Sequence, residues 1–345
     1  MKTPKWNWLL MLVLAVSLGC SQSDEPATES VAEATEEESE LEKAIDQLAE
    51  SLAATEAPQE KVIMIGDFLT QYPESEYTGE VLRAAIEPLV DDLQRPEEAY
   101  ELFHEVMVQL TDPETRFEAQ KQLAILHSKT GRVGELHAVA EAMIAEHEFQ
   151  YTDYLDLMEV AVESGAWNLA IQQADASLAL ANPEAFKAQY DDISDENAEK
   201  WGRRREAYSA AHKGWAQQNL GQQEDALATF AANADKTTFS LLGVDDTPLH
   251  INWGRSLMLQ GEPELAMEKL EVEALYGPDE AKKFFAEAWV AFHGSNEGLE
   301  EHLWSLRERN AKPLPQFSLT NYDGQLVDTD SFADHVILVV SWSPT

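Results

Sequence analysis

The chain has 345 residues, of which 64 are acidic and 24 are basic, so its formal net charge is −40. A protein with this charge repels phosphate backbones and anionic lipid surfaces, which excludes nucleic-acid binding. Apolar residues make up 44% of the chain, which is enough for a packed core and excludes general disorder. The length indicates about two domains. The one cysteine, Cys20, excludes a disulfide, a dithiol pair or a thiolate metal cluster within this chain.

The first twenty residues have the pattern of an export signal. Met1–Lys5 is short and basic, and Trp6–Leu18 is nearly all apolar. Because a membrane-spanning helix needs about 20 apolar residues, the short run indicates a signal peptide. The glycine directly before Cys20 resembles the end of a bacterial lipoprotein signal, although Ser17 stands where that family usually has leucine.

This resemblance implies that residues 1–19 are a signal peptide and that Cys20 is lipid-modified. The protein would then be exported and anchored to a bacterial membrane, facing the periplasm or the exterior, because a multiply acylated N-terminus anchors a protein stably. Ordinary secretion with an incidental cysteine is the alternative. Residues 20–40 contain eight acids and no basic residue. This composition predicts an acidic, disordered tether, with an acidic binding tail as the alternative.

Residues 41–311 are predicted to be helical. Helix starts are expected at Asp112 and Ser194, whose side chains suit N-caps, and a helix stop is expected at Gly277. Thr237–Val244 is an apolar interruption of ambiguous structure. Apolar residues recur at helical spacing, beginning with Leu41, Ala44, Ile45, Leu48 and Leu52.

The helices also show an internal period. Two sets of residues share spacings of 7, 5 and 4 and lie forty residues apart: Gly214, Gly221, Ala226 and Phe230, then Gly254, Gly261, Ala266 and Leu270. Weaker copies centre on Ala99, Leu136 and Ala170. These residues resemble the tetratricopeptide repeat, which implies stacked helix pairs with a concave face that holds peptides or partner proteins. An irregular helical bundle is the alternative.

Several side chains in this region are candidates for binding. Lys200 and Arg203–Arg205 form a dense basic patch, which is either a site for an acidic peptide or a solvated face paired with nearby glutamates. Histidine spacing predicts no metal site, since His293 and His302 are too far apart to stack on one helical face. No cofactor and no catalytic residue is predicted. Five tryptophans are either groove anchors or inter-helix packing: Trp201, Trp215, Trp253, Trp289 and Trp304.

Residues 312–345 have a different pattern. Gln316–Thr320 and Gln325–Thr329 flank an Asp-Gly pair, which is a strong signal for a β-hairpin. Val336–Trp342 is a continuous β-prone run, typical of a strand buried on both faces. The predicted fold class is therefore mainly α, with a helical repeat array followed by a short β-hairpin and a strand.

The tail also contains Pro315 and Phe317 before the Asp-Gly pair and Trp342 at the end of the β-prone run. This residue order resembles the opening of the thioredoxin-like family, in particular the membrane-tethered redoxins of the TlpA type. Gln316 and Ser341 depart from the family pattern, and no cysteine follows Cys20. Exchange chemistry needs an attacking and a resolving thiol. The resemblance thus implies an incomplete thioredoxin-like α/β domain, either a truncated form or a degenerate remnant; a chance hairpin and strand is the alternative. The residues that carry the resemblance are Pro315, Phe317, Asp323, Gly324 and Trp342.

Two functions are compatible with these patterns, so whether the protein is an enzyme stays open. One is a membrane-tethered protein of the thiol–disulfide oxidoreductase type. Its helical array would bind proteins, and its catalytic dithiol is absent from this chain. The other is a non-enzymatic scaffold lipoprotein that gathers protein or peptide partners at the membrane.

Overall fold

The computed structural model describes residues 29–190, 193–236, 247–310, 318–320 and 325–328. These residues are mainly helical, as the sequence predicts. The helices are α1 (Glu29–Ala54), α2 (Pro58–Gln71), α3 (Thr78–Ile86) with a π-helical continuation (Glu87–Asp92), α4 (Pro96–Gln109), α5 (Pro113–Lys129), α6 (Val133–Glu146), α7 (Tyr151–Ser164), α8 (Trp167–Leu180), α9 (Pro183–Gln189), α10 (Asp195–Asn219), α11 (Gln223–Asn233), α12 (Leu249–Leu259), α13 (Pro263–Tyr276), α14 (Asp279–His293) and α15 (Leu299–Asn310).

The same turn recurs between helices along the chain. A glycine with φ between 70° and 81° follows α5, α7, α10 and α12. The residue after each glycine donates its N–H to the carbonyl five residues earlier, at 2.8–2.9 Å. This hydrogen bond is typical of a Schellman cap, which satisfies helix-end carbonyls and favours glycine because φ is positive. The four glycines are Gly131, Gly165, Gly221 and Gly261.

A related left-handed turn follows the π-helix and uses Gln94, whose φ is 57°. The Gln94 side chain donates to the carbonyls of Val90 and Asp91, at 3.1 and 2.7 Å. These bonds offset the strain of a non-glycine residue in the left-handed region. The π-helix begins around Pro88, which cannot donate to the helical ladder and forces the chain to accommodate its ring.

The repeated sequence positions are buried in each helix that follows such a turn. Ala99, Ala170, Ala226 and Ala266 all have zero exposure, and so does Leu136. The next repeated position, four residues further on, is equally buried. Its residues are Phe103, Ala140, Ala174, Phe230 and Leu270.

Gly214 shows why one of the repeated positions is small. A Cβ atom at Gly214 would lie 2.5 Å from Cε1 of Phe230, because the backbone of α10 approaches the Phe230 ring of α11 closely. We refer to this contact between the paired helices, which includes Ala210 and Ala226 and against which Trp253 of α12 packs, as the α10–α11 seam.

The predicted helix boundaries at three places are confirmed. Asp112 accepts a hydrogen bond from the Thr115 N–H at 2.7 Å, and Ser194 accepts one from the Asn197 N–H at 3.3 Å. Helix α13 ends immediately before Gly277. The repeated positions Ala170 and Ala226 are 56 residues apart, and the chain between them includes the extra helix α9 and the 25-residue helix α10. The ambiguous segment Thr237–Val244 lies outside the described residues.

The structure differs from the expected tether over residues 20–40, because α1 already begins at Glu29. Glutamate and alanine are the commonest residues of α1, and both have high helix propensity. The acidity that suggested an extended chain is thus also compatible with a helix. Residues 20–28 lie outside the described part of the chain.

Two compact units divide the chain, and the division falls within α12, between Ser256 and Leu257. The domain boundary expected at residue 311 stays a prediction. The first unit has apolar clusters around α1–α5, around α5–α8 and at the α10–α11 seam. In the second unit α13 packs on α14, and Leu270, Phe285 and Leu306 are buried.

The described tail residues form two short strands, β1 (Ser318–Thr320) and β2 (Leu326–Asp328). They pair antiparallel, with Leu319 opposite Val327. The strand expected at Val336–Trp342 lies outside the described residues, so the incomplete thioredoxin-like domain stays a prediction.

Candidate functional site

A groove of about 680 Å³ lies in the first unit, on the faces of α3 with its π-helix, α5 and α7. Each of these is the first helix of a helix–turn–helix pair. Each presents side chains three or four residues apart, which is the spacing that places side chains on one helical face. These groove-lining side chains are Glu80, Ala84, Glu87 and Asp91, then Glu118, Gln122, Ile125 and Lys129, then Asp156, Glu159, Val160 and Glu163.

The groove carries more negative than positive charge. Together with Asp92, the side chains above include eight carboxylates. Four basic residues also line the groove: Lys61, Arg83, Lys121 and Lys129.

Two of these lysines form ion pairs with carboxylates in or beside the groove. The Lys121 ammonium lies 2.8 Å from Glu118, 3.7 Å from Asp153 and 4.0 Å from Asp156. Burial disfavours its charge, yet the hydrogen bond to Glu118 and the three carboxylates raise the pKa of Lys121 overall. Lys129 reaches Asp91 at 2.6 Å and links α5 to the π-helix.

Two carboxylates that line the groove have raised pKa values, because burial disfavours their charged form. Burial raises the pKa of Glu80, and nearby Glu118 raises it further. Burial also raises the pKa of Asp156, where Lys121 opposes the shift and Glu159 adds to it. Burial is the largest cause of both shifts, so the charged forms of Glu80 and Asp156 are disfavoured although Lys121 is close to both.

Two buried oxygen atoms in the groove have no hydrogen-bond partner among the described residues: Oε2 of Glu80 and Oε1 of Gln122. Gln122 is only 8% exposed, so its amide is shielded from bulk water. An unpaired buried acceptor costs about 1–3 kcal/mol. Both atoms are acceptors, so a hydrogen-bond donor would satisfy them.

Glu159 also holds the neighbouring helix α10. The Tyr208 hydroxyl donates to the Glu159 carboxylate at 2.7 Å, and burial together with this bond raises the pKa of Tyr208. One turn later, burial lowers the pKa of His212 to about 4. Neither ring nitrogen of His212 has a hydrogen-bond partner within the part of the chain that the structure describes. These three residues therefore form no proton relay there, and we assign them no catalytic role.

The sequence singles out one residue for lipidation and five for the tail motif. All of them lie outside the described ranges: Cys20, Pro315, Phe317, Asp323, Gly324 and Trp342.

The basic patch on α10 is used mostly within the fold. Arg205 lies between the rings of Tyr151 and Phe186, each 4.2 Å from its guanidinium carbon. Such contacts favour a desolvated guanidinium, although burial lowers the pKa of Arg205. Arg203 donates to the backbone carbonyl of Asp235. Arg203 and Arg205 are therefore engaged within the fold, whereas Lys200 of the same patch is exposed.

The five tryptophans have different roles in the structure. Trp289 is 7% exposed, and Trp215 packs under the guanidinium of Arg255 at 3.9 Å. Trp253 stacks on Phe230. Trp201 and Trp304 are exposed, and none of the five lines the groove.

His293 and His302 come together even though their spacing argued against it. Both rings lie against Trp289, with centroid distances of 3.9 and 4.8 Å. The helical-face argument does not apply because α14 ends at His293 and a turn brings α15 back. Within the described residues, however, no group of three or more metal-ligating side chains is arranged to hold a metal ion.

Comparisons with known proteins assign no function to the groove. No protein-family model, curated protein or solved structure matches this chain. None of the helices within the described ranges is both long and apolar enough to span a membrane.

Proposed function

We propose that the protein is a helical-repeat scaffold that binds an extended segment of a partner protein in the groove, at a membrane to which Cys20 anchors it. The observation that carries this proposal is that three successive first helices present aligned side chains to one open groove. Its volume of about 680 Å³ lies within the range of about 300–1,000 Å³ that is usual for binding sites.

The geometry also indicates the length of the bound segment. Packed helices lie about 8–10 Å apart, so three of them span about 16–20 Å. An extended chain covers about 3.3–3.6 Å per residue. The groove therefore suits a segment of about five or six residues.

The test is a fluorescence-polarisation titration of the detergent-solubilised full chain against hexapeptides selected from a displayed random library. Ala84→Trp would place a bulky side chain on the groove floor, and we expect it to abolish binding. Ala231→Trp, at an exposed position of α11, is the matched control and should bind as the wild type does. Failure to select any binding peptide, or equal binding by both variants, would contradict the proposal.

A second function is favoured by the residue order from Pro315 to Trp342, which resembles the start of a thioredoxin-like domain. In this case the native protein would be a tethered thiol–disulfide oxidoreductase whose helical array positions its substrates. Intact mass and C-terminal peptide mapping on protein from its native membrane provide the test. A product that continues past Thr345 into a Cys-x-x-Cys segment supports this function, and a product without that segment contradicts it.

A further inference from the structure

We propose that the segment bound in the groove is cationic, an extended peptide that carries lysine or arginine side chains. This inference rests on the proposed function and specifies its ligand. It depends on two independent features of the groove, namely its unbalanced charge and its unpaired buried acceptors.

The first feature is a surplus of carboxylates that the groove does not neutralise itself. Lys121 and Lys129 are engaged by Glu118 and Asp91, at 2.8 and 2.6 Å. Among the described residues, Glu87 and Glu163 have no ion-pair partner. Both are exposed and line the groove, so they can attract a cationic ligand without first breaking an internal contact.

The second feature is the pair of unpartnered oxygens, Oε1 of Gln122 and Oε2 of Glu80, to which no described residue donates. Gln122 is more than nine-tenths buried and lies on the same face of α5 as Glu118 and Ile125. An ammonium, a guanidinium or a peptide N–H would satisfy these acceptors, whereas a carboxylate of the ligand would not.

Two other ligand classes fit these features less well. A bound metal ion needs several ligands converging on one point, and no such group of three occurs within the described residues. An acidic peptide would meet like charges on all three helices. Positive charges spread along an extended chain match carboxylates that are spread over three helices.

The test uses three fluorescein-labelled hexapeptides that alternate alanine with lysine, glutamine or glutamate, each titrated against the detergent-solubilised full chain. We expect the lysine peptide to bind tightest and its affinity to fall with added salt. The groove variant Glu87→Gln/Asp156→Asn/Glu163→Gln should weaken its binding about tenfold.

The matched control removes the same charge from exposed positions of the second unit, in Glu280→Gln/Glu300→Gln/Glu301→Gln. It should bind the lysine peptide as the wild type does. An equal loss in both triple variants would show that the attraction comes from the overall charge of −40, and it would overturn the inference.

A further variant, Gln122→Leu, tests the buried acceptor. If Gln122 receives a donor from the peptide, this substitution weakens binding severalfold while the melting temperature stays the same or rises. Unchanged binding would contradict this part of the inference.

The outcomes separate this inference from the function on which it rests. If library-selected neutral or acidic peptides bind and are blocked by Ala84→Trp, the groove binds peptides but the cationic preference is wrong. If spermidine binds as tightly as the lysine peptide and shows the same response to the groove triple variant, the ligand is a polyamine and the peptide assignment is wrong.

Discussion

The α10–α11 seam is apolar and closely packed, whereas the groove carries exposed charges, although both are formed by paired helices. In the seam, Phe230 is fully buried and fits against a glycine, so no atom can be added without displacement. In the groove, charged side chains such as Glu87 are exposed and have no ion-pair partner among the described residues. The contrast indicates that the seam determines stability, while the groove can be altered with little effect on folding.

The largest expected effect is at the seam. Phe230→Ala removes a fully buried ring that packs between Gly214 and Trp253. We expect the free energy of unfolding to fall by about 3–5 kcal/mol. Urea denaturation followed by circular dichroism would measure this. A loss under about 1 kcal/mol would show that the seam can collapse around the cavity.

His212 makes part of the stability depend on pH. Burial lowers its pKa to about 4 from 6.5, so the folded protein prefers the neutral ring. Its contribution is complete above pH 6.5 and is lost as the pH falls towards 4, because there the unfolded chain binds the proton first. Relative to His212→Leu, the wild type should lose about 3 kcal/mol between neutral pH and pH 4. Parallel denaturation curves of the two proteins across this range provide the measurement, and curves that keep a constant separation would contradict it.

Gly214→Ala tests the close approach in the seam. The added Cβ would lie 2.5 Å from the Phe230 ring, and such overpacking costs about 1–3 kcal/mol. Gly66→Ala is the control, because Gly66 lies within α2 and a methyl group added there would meet no described atom within 4 Å. That substitution should instead stabilise the protein by about 0.5–1 kcal/mol. Stabilisation by both substitutions would mean that helix propensity, rather than the close contact in the seam, governs Gly214 as well.

The left-handed turns at Gly261 and Gln94 should differ in how much stability a substitution removes. Gly261→Ala places a side chain at φ 81° and should cost about 1 kcal/mol. Gln94→Gly relieves the left-handed strain but removes two side-chain hydrogen bonds, so the two effects should nearly cancel. Thermal melting of both variants checks this, and a large loss for Gln94→Gly would show that its side chain is the main stabiliser of the turn.

The smallest expected effect is in the groove. Glu87→Gln removes an exposed charge from an acidic surface, and the free energy of unfolding should change by less than about 0.5 kcal/mol. Chemical denaturation at low and high salt would measure it. A clear loss of stability would show that the groove, like the seam, is a structural element.

The sequence predicted the seam much better than the groove. Spacings of 7, 5 and 4 identified Gly214, Ala226 and Phe230 because a close helix contact restricts residue size at fixed positions. The groove has no such signature, since surplus carboxylates occur throughout this acidic chain. Its helices come together only through the tertiary arrangement, and Gln122 resembled any other helical glutamine in the sequence.

The turn at Gln94 and the packing of His293 and His302 against the same ring, Trp289, were also missed. Left-handed turns usually show a glycine, and the turn at Gln94 has none at its left-handed position. The histidine spacing was judged on one continuous helix, whereas the chain reverses after His293. The hydrogen bonds of the Gln94 side chain and the chain reversal after His293 decide these two features, and the residue types alone do not reveal either.

The recurrence of one turn geometry has a consequence for how the array can change in length. Because each joint is closed by the same local backbone bonds, a helix pair can be duplicated or removed between two such joints without new connecting chemistry. Every added pair would bring another first helix and extend the groove by one helix width. Gene duplication would therefore lengthen the segment proposed to bind there in steps of about two or three residues.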